Sequence, residues 1–166
     1  ATSYYGTTVT NTGGSIYAAA SGVLVSIPYN IYYAGSAIGL DASSAYGDVA
    51  VSNASDITAL SLYVDATGIS AVGPLDTVVT NSGDITATTI YGYALGIDAL
   101  GSGDVTVSSS GDIYVASAYN DATGIDAYSA SLYGTAHVEN NGRIEIYTGM
   151  RAAGASPQAR LAVLGG

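Results

Sequence analysis

The chain has no cysteine, no lysine, no phenylalanine and no tryptophan. Without cysteine there are no disulfides, no thiolate nucleophile and no Cys-ligated metal. This suits export, where free thiols risk oxidation, but fixes no compartment. Basic residues are nearly missing. The only three, Arg143, Arg151 and Arg160, all follow residue 142 and face 13 acidic residues, for a net charge of −10. Such a surface repels phosphate backbones and anionic lipid, so nucleic acid is excluded as a partner. No run of 18 apolar residues is present, so no helical membrane span is expected. The N-terminus has no basic segment followed by an apolar one, so no signal peptide is read there. Charged residues total only 10% and hydrophobic residues 48%, which excludes a disordered chain.

What is present is small, apolar and repetitive. Ala, Val and Ile dominate, with 22 Gly, 15 Tyr and three Pro. Residues 48–57 read DVAVSNASDI, residues 76–85 DTVVTNSGDI and residues 104–113 DVTVSSSGDI. Residues 135–144, TAHVENNGRI, are a decayed copy, and VTNTGGSI at 9–16 is a copy with one extra residue. A second block follows each first one: AIGLDA at 37–42, ATGISA at 66–71, ALGIDA at 94–99 and ATGIDA at 122–127. Ile57, Ile85 and Ile113 recur every 28 residues, then Ile144 follows after 31.

Within each block the apolar residues alternate, as in Val49 and Val51 or Ile57 and Ala59. Period two means strands, and β-branched residues and Tyr favour them. Three short strands per repeat of this length match one coil of a β-helix, which buries its apolar face only by stacking on neighbours. The expected fold is all-β: a right-handed, single-stranded parallel β-helix (β-solenoid) of about five coils, about 28 residues each.

Residues 1–166 are read as one solenoid domain. Residues 1–45 form an atypical first coil with an insertion or terminal cap near 21–33, and 46–149 form the regular coils. Residues 150–166 are a partial coil or cap. There, Ser156-Pro157 could open a short helix, but the preferred reading starts a further coil, with Leu161 and Val163 in the places of Val49 and Val51. The chain is then an excerpt of a longer array.

Stacking predicts columns of like residues about 4.8 Å apart. Val51, Val79, Val107 and Val138 form one inward column, and Ile57, Ile85, Ile113 and Ile144 another. Leu40, Ile69, Ile97 and Ile125 form a third. Asn53, Asn81 and Asn140, with Ser109 between, predict a side-chain amide ladder at one corner. Gly39, Gly68, Gly96 and Gly124 predict a second corner, with positive φ or close backbone approach.

The motif V-x-V-(S/T)-N-S-G-D-I-T-A followed by A-x-G-I-D-A, clearest at 76–99 and 104–127, resembles the passenger region of bacterial autotransporters. The likeness covers roughly residues 5–149. It implies a parallel β-helix on the surface of a Gram-negative bacterium or secreted from it, exported through the outer membrane. It also implies adhesion or aggregation as the role, with a host or neighbouring cell surface, glycan or protein, or a further copy, as partner. The family's signal peptide and translocator barrel have no counterpart in these residues.

Carboxylates line up as well. Asp48, Asp76 and Asp104 share one repeat position; Asp56, Asp84 and Asp112 share another, which Arg143 ends. Asp41, Asp98 and Asp126 share a third. Stacked carboxylates can hold Ca²⁺ between coils. The alternative, preferred here, is solvated corners where each Asp bonds nearby backbone N–H groups as an Asx-turn. The nonapeptide of calcium-binding β-rolls is absent, and no metal or cofactor is expected.

Paired carboxylates also serve glycoside hydrolysis, but the columns supply that spacing everywhere and single out no pair. No phosphate loop and no G-x-S-x-G elbow occurs, and the lone His137 points outward by strand alternation. No catalytic residue is assigned and no enzyme is expected; a polysaccharide-binding or -degrading β-helix is the alternative. Ice binding ranks below it, because the Thr58 and Thr86 column runs into Tyr114 and Glu145. The binding candidates are aromatic. Tyr63, Tyr91 and Tyr119 recur every 28 residues, as a structural ladder or a contact surface. Tyr29, Tyr32 and Tyr33 sit in the irregular segment, where solenoids grow functional loops.

Overall fold

A computed structural model describes residues 1–20, 25–27, 30–32, 35–149 and 159–164. All regular structure in it is β, and its long sheets are wholly parallel. Sheet I contains β1 (Thr2–Ser3), β6 (Ala37–Ser44), β9 (Ala66–Val72), β12 (Ala94–Gly101), β15 (Ala122–Ser129) and β18 (Ala159–Leu164). Sheet II contains β2 (Thr7–Asn11), β7 (Val49–Asn53), β10 (Thr77–Asn81), β13 (Val105–Ser109) and β16 (Ala136–Asn140). Sheet III contains β3 (Ile16–Ala20), β8 (Ile57–Ser61), β11 (Ile85–Thr89), β14 (Ile113–Ser117) and β17 (Ile144–Thr148). Apart from one hairpin in the first coil, the chain visits the three sheets in turn, so consecutive strands lie in different sheets and paired strands lie one coil apart. Sheets II and III hold five strands each, which make four stacking steps and a β-solenoid of about four turns.

The register follows the sequence period. Val9, Val51, Val79, Val107 and Val138 are paired in succession, as are Ile16, Ile57, Ile85, Ile113 and Ile144. Leu40, Ile69, Ile97 and Ile125 form the third column. Sheets II and III alternate strictly between buried and more exposed positions in the middle coils. The core they enclose is made of Ile, Val and Ala, with Ile57, Ile69, Ile85, Ile97, Ile113 and Ile125 fully buried. Each such side chain contributes about 1.5–3 kcal/mol of burial, and small residues let one thin core run the length of the stack.

Three expectations need correction. Gly39, Gly68, Gly96 and Gly124 lie inside the long strands of sheet I, not at a corner, and positive φ is confined to Gly6, Gly14 and Gly35 among the described glycines. Close approach is the reason for the column. A Cβ on Gly96 would lie 2.3 Å from the Gly124 carbonyl oxygen and 2.5 Å from the Ile113 Cγ2. The Ile side chains of sheet III thus pack against the bare backbone of sheet I.

The second correction concerns the C-terminal strand. Residues 159–164 do form a strand, but it extends sheet I by pairing with β15, with Val163 opposite Ala127. Leu161 and Val163 therefore do not take the places of Val49 and Val51, which belong to sheet II. Ser156 and Pro157 lie outside the described residues. The first coil departs from the regular ones through an antiparallel hairpin, β4 (Val25–Ile27) with β5 (Asn30–Tyr32), set between β3 and β6. Among the described residues no helix is long and apolar enough to cross a membrane.

Candidate functional site

The third correction is the bonding of the aspartates. In the first two columns the carboxylates do not close local Asx-turns but reach along the stack to the coil that follows. Asp48 Oδ1 accepts the backbone N–H of Asp76 at 3.2 Å, and Asp76 Oδ1 accepts that of Asp104 at 2.9 Å. Asp104 Oδ1 then takes both the N–H and the hydroxyl of Thr135, each at 2.9 Å. The second column repeats the pattern: Asp56 to Asp84 at 3.1 Å, Asp84 to Asp112 at 2.9 Å and Asp112 to the N–H of Arg143 at 2.8 Å. One further bond of this kind was unforeseen: Asp65 Oδ1 accepts the N–H of Tyr93 at 2.8 Å.

Each of these residues immediately precedes a strand. Its carbonyl already serves the ladder, as when Val49 N–H donates to the Asp76 carbonyl. Its own N–H meets no carbonyl at the corner, and the carboxylate below supplies the acceptor. The signal was in the sequence as Asp immediately before the strand blocks of the three regular coils, at 48, 76 and 104 and at 56, 84 and 112. What it could not give was the direction of the bond, because local and inter-coil acceptors need the same residue type.

The carboxylates differ in setting. The two hydrogen bonds from Thr135 hold Asp104 below its ordinary value of 3.8. Asp98 stands above that value, chiefly through burial and further through Asp126, its direct partner across the strand pair. In that column Ser70 separates Asp98 from Asp41. Among the described residues no three His, Asp or Glu side chains gather closely enough to hold a metal ion.

The amide ladder is present and one rung longer than expected. Asn11 Nδ2 donates to Asn53 Oδ1 at 2.9 Å, and Asn53 Nδ2 to Asn81 Oδ1 at 2.7 Å. Asn81 Nδ2 reaches the Ser109 hydroxyl at 3.2 Å. The ladder breaks there: the Oδ1 of Asn140 is buried with no hydrogen-bond partner.

Tyr63, Tyr91 and Tyr119 come together as the spacing implied. Tyr63 and Tyr91 stack with ring centroids 5.5 Å apart, and Tyr91 and Tyr119 at 5.0 Å, with planes within 6° of parallel. They occupy the corner between sheets III and I, with Tyr91 and Tyr119 exposed. Tyr29 and Tyr33 lie outside the described residues, and Tyr32 is described only as the last residue of β5. Sequence reasoning missed further exposed rings: Tyr17 and Tyr114 on sheet III, and Tyr4 with Tyr46 at the N-terminal end, their centroids 4.7 Å apart. Rings without a period of 28 gave no repeat signal. His137 is exposed, as alternation required.

Two open grooves border these features. One is lined by Asp84, Thr86, Asp112, Tyr114, Arg143 and Glu145, where Arg143 and Glu145 are ion-paired. The other is lined by Asp65, Tyr93, Leu95, Asp121, Thr123 and Asp126. Both mix carboxylates with an aromatic ring, a lining that can hydrogen-bond and stack on a polar ligand.

Fold and side-chain ladders together define a parallel β-solenoid with repeating aromatic and acidic columns. No family model, no curated protein and no solved structure matches the chain.

Proposed function

We propose that this chain is a non-catalytic structural and adhesive segment of an autotransporter-like protein, exposed on or secreted from a Gram-negative bacterium. One observation carries the reading: Tyr63, Tyr91 and Tyr119 stack in register on an exposed corner of the solenoid. A rod whose coils are tied by ladders presents the same chemistry at each coil. Weak contacts then add along the axis as avidity, and a stiff presentation loses little entropy on binding. Tyr provides large contact area with few torsions to freeze. The role calls for no cofactor and no catalytic residue.

The test is a bead or cell aggregation assay with the isolated chain, run beside a glycan array. Aggregation or glycan capture that falls when Tyr91 and Tyr119 become Ser supports the reading. An inert chain in both assays overturns it. A second reading, a polysaccharide-binding or -degrading β-helix, draws on the groove of Asp84, Asp112 and Tyr114. Reducing-sugar release abolished by one specific Asp substitution would favour it.

A further inference from the structure

The outer face of sheet III carries no charged residue on its first four strands. Tyr17 and Tyr114 stand exposed on it. A shallow hollow formed by Ala19, Leu60, Leu62 and Ile90 connects this face to the tyrosine corner. Thr58, Thr86 and Thr88 lie between these groups, so the result is an uncharged strip of aromatic, aliphatic and threonine side chains. Exposed aromatic and aliphatic side chains gathered in this way mark interaction sites.

The strip has borders. The exposed Asp56, Asp84 and Asp112 line the edge where the strands of sheet III begin. Asp65 and Asp121 follow the tyrosine corner on the other side. A centre free of charge within a charged rim is the anatomy of a protein interface. Both rims are acidic, so a second copy would set carboxylates against carboxylates, on a chain of net charge −10. Anionic lipid and nucleic acid are repelled for the same reason. Tyr91 is covered on both faces by Tyr63 and Tyr119, so it offers a ring edge and a hydroxyl. A sugar stacks on a ring face, whereas polypeptide packs well against edges.

We infer that this strip is a docking surface for a polypeptide with an aliphatic or aromatic centre flanked by Lys and Arg. The inference rests on the adhesive reading and names its partner class. The probe is a labelled peptide of alternating Leu and Lys, with poly-lysine of equal charge as control, followed by fluorescence anisotropy. The Leu–Lys peptide is expected to bind at least tenfold more tightly than poly-lysine. The Tyr91→Ser, Tyr119→Ser double variant should lose about tenfold, and the Asp84→Asn, Asp112→Asn variant should show a flatter salt dependence. Val78→Ser, on the outer face of sheet II, should bind as wild type, and unchanged far-UV circular dichroism verifies that each variant is folded.

Equal binding by poly-lysine, undiminished binding by the tyrosine variant, or no binding at all overturns the inference. Self-association lost on Tyr91→Ser also overturns it, by assigning the strip to a second copy. A chain that aggregates beads yet ignores the peptide sinks this inference alone. A chain inert in both experiments sinks the adhesive reading as well.

Discussion

The Asp76 carboxylate accepts the backbone N–H of Asp104 at 2.9 Å, across 28 residues of chain and one coil of the stack. The bond joins identical repeat positions, so one residue type at one place in the repeat ties successive coils together from β7 to β16. Leaving that N–H without an acceptor loosens the corner while the rest of the ladder holds. Asp76→Ala is therefore expected to speed hydrogen exchange at the Asp104 amide and lower the melting temperature. Asp76→Asn, which keeps an Oδ1 acceptor, should do less of both. Equal exchange in the two variants would mean that solvent already satisfies the N–H.

The glycine column makes a sharper demand. At Gly96 a methyl group meets both a neighbouring backbone oxygen and the Ile113 side chain inside ordinary contact distance. Backbone atoms in a stacked ladder cannot yield without moving a coil. Gly96→Ala should cost about 3 kcal/mol, at the upper end for overpacking. Gly13→Ala, where nothing lies within 4 Å of the added carbon, is the control and should be close to neutral. Paired denaturant titrations measure the difference.

The columns of Val51, Ile57 and Ile69 were legible from the sequence because a 28-residue period and a two-residue alternation leave one register that buries them together. The tyrosine stack followed from the same period. Other features were hidden for identifiable reasons. The place of the glycines depends on which face of a neighbouring strand an Ile occupies, which periodicity does not specify. The inter-coil reach of the aspartates depends on which corner N–H lacks a carbonyl. Residues 159–164 carry the alternation of a strand, but alternation alone does not say which of three sheets a strand joins.

The interrupted amide ladder points to a stabilising change. Ser109 is too short to donate to Asn140, whose Oδ1 stays buried and unpartnered. Asn at that position would accept from Asn81 and donate to Asn140, repeating the geometry by which Asn53 contacts Asn81 at 2.7 Å. One completed buried hydrogen bond is worth about 1 kcal/mol. Ser109→Asn should raise the melting temperature by about 3 °C, given the usual scaling for chains of this size. Asn81→Ala should lower it by more, because two rungs are lost and Asn53 Nδ2 keeps only its bond to the Ser55 carbonyl. A Ser109→Asn variant less stable than wild type would show that the column has no room for an unbroken ladder.

Acid should act on the stack in two stages of opposite sign. Asp98, half-buried beside Asp126, has a folded pKa above its ordinary value of 3.8. Its folded form takes up a proton before its unfolded form does. Stability therefore rises as pH falls through the raised value, until the unfolded carboxyl protonates too. Asp104 is the reverse. Its bonds to Thr135 hold its pKa below 3.8, so its contribution is complete above the ordinary value and is lost as pH falls through the lowered one. Asp98→Asn should accordingly stabilise the protein at neutral pH and leave it unchanged at strongly acid pH, flattening the first stage. Thr135→Val removes one of the two bonds to Asp104 and should weaken the second stage without touching the first. Thermal melts of the three proteins across the acid range separate the stages. An Asp98→Asn variant with no gain at neutral pH would mean that the Asp98 and Asp126 charges are already solvated apart.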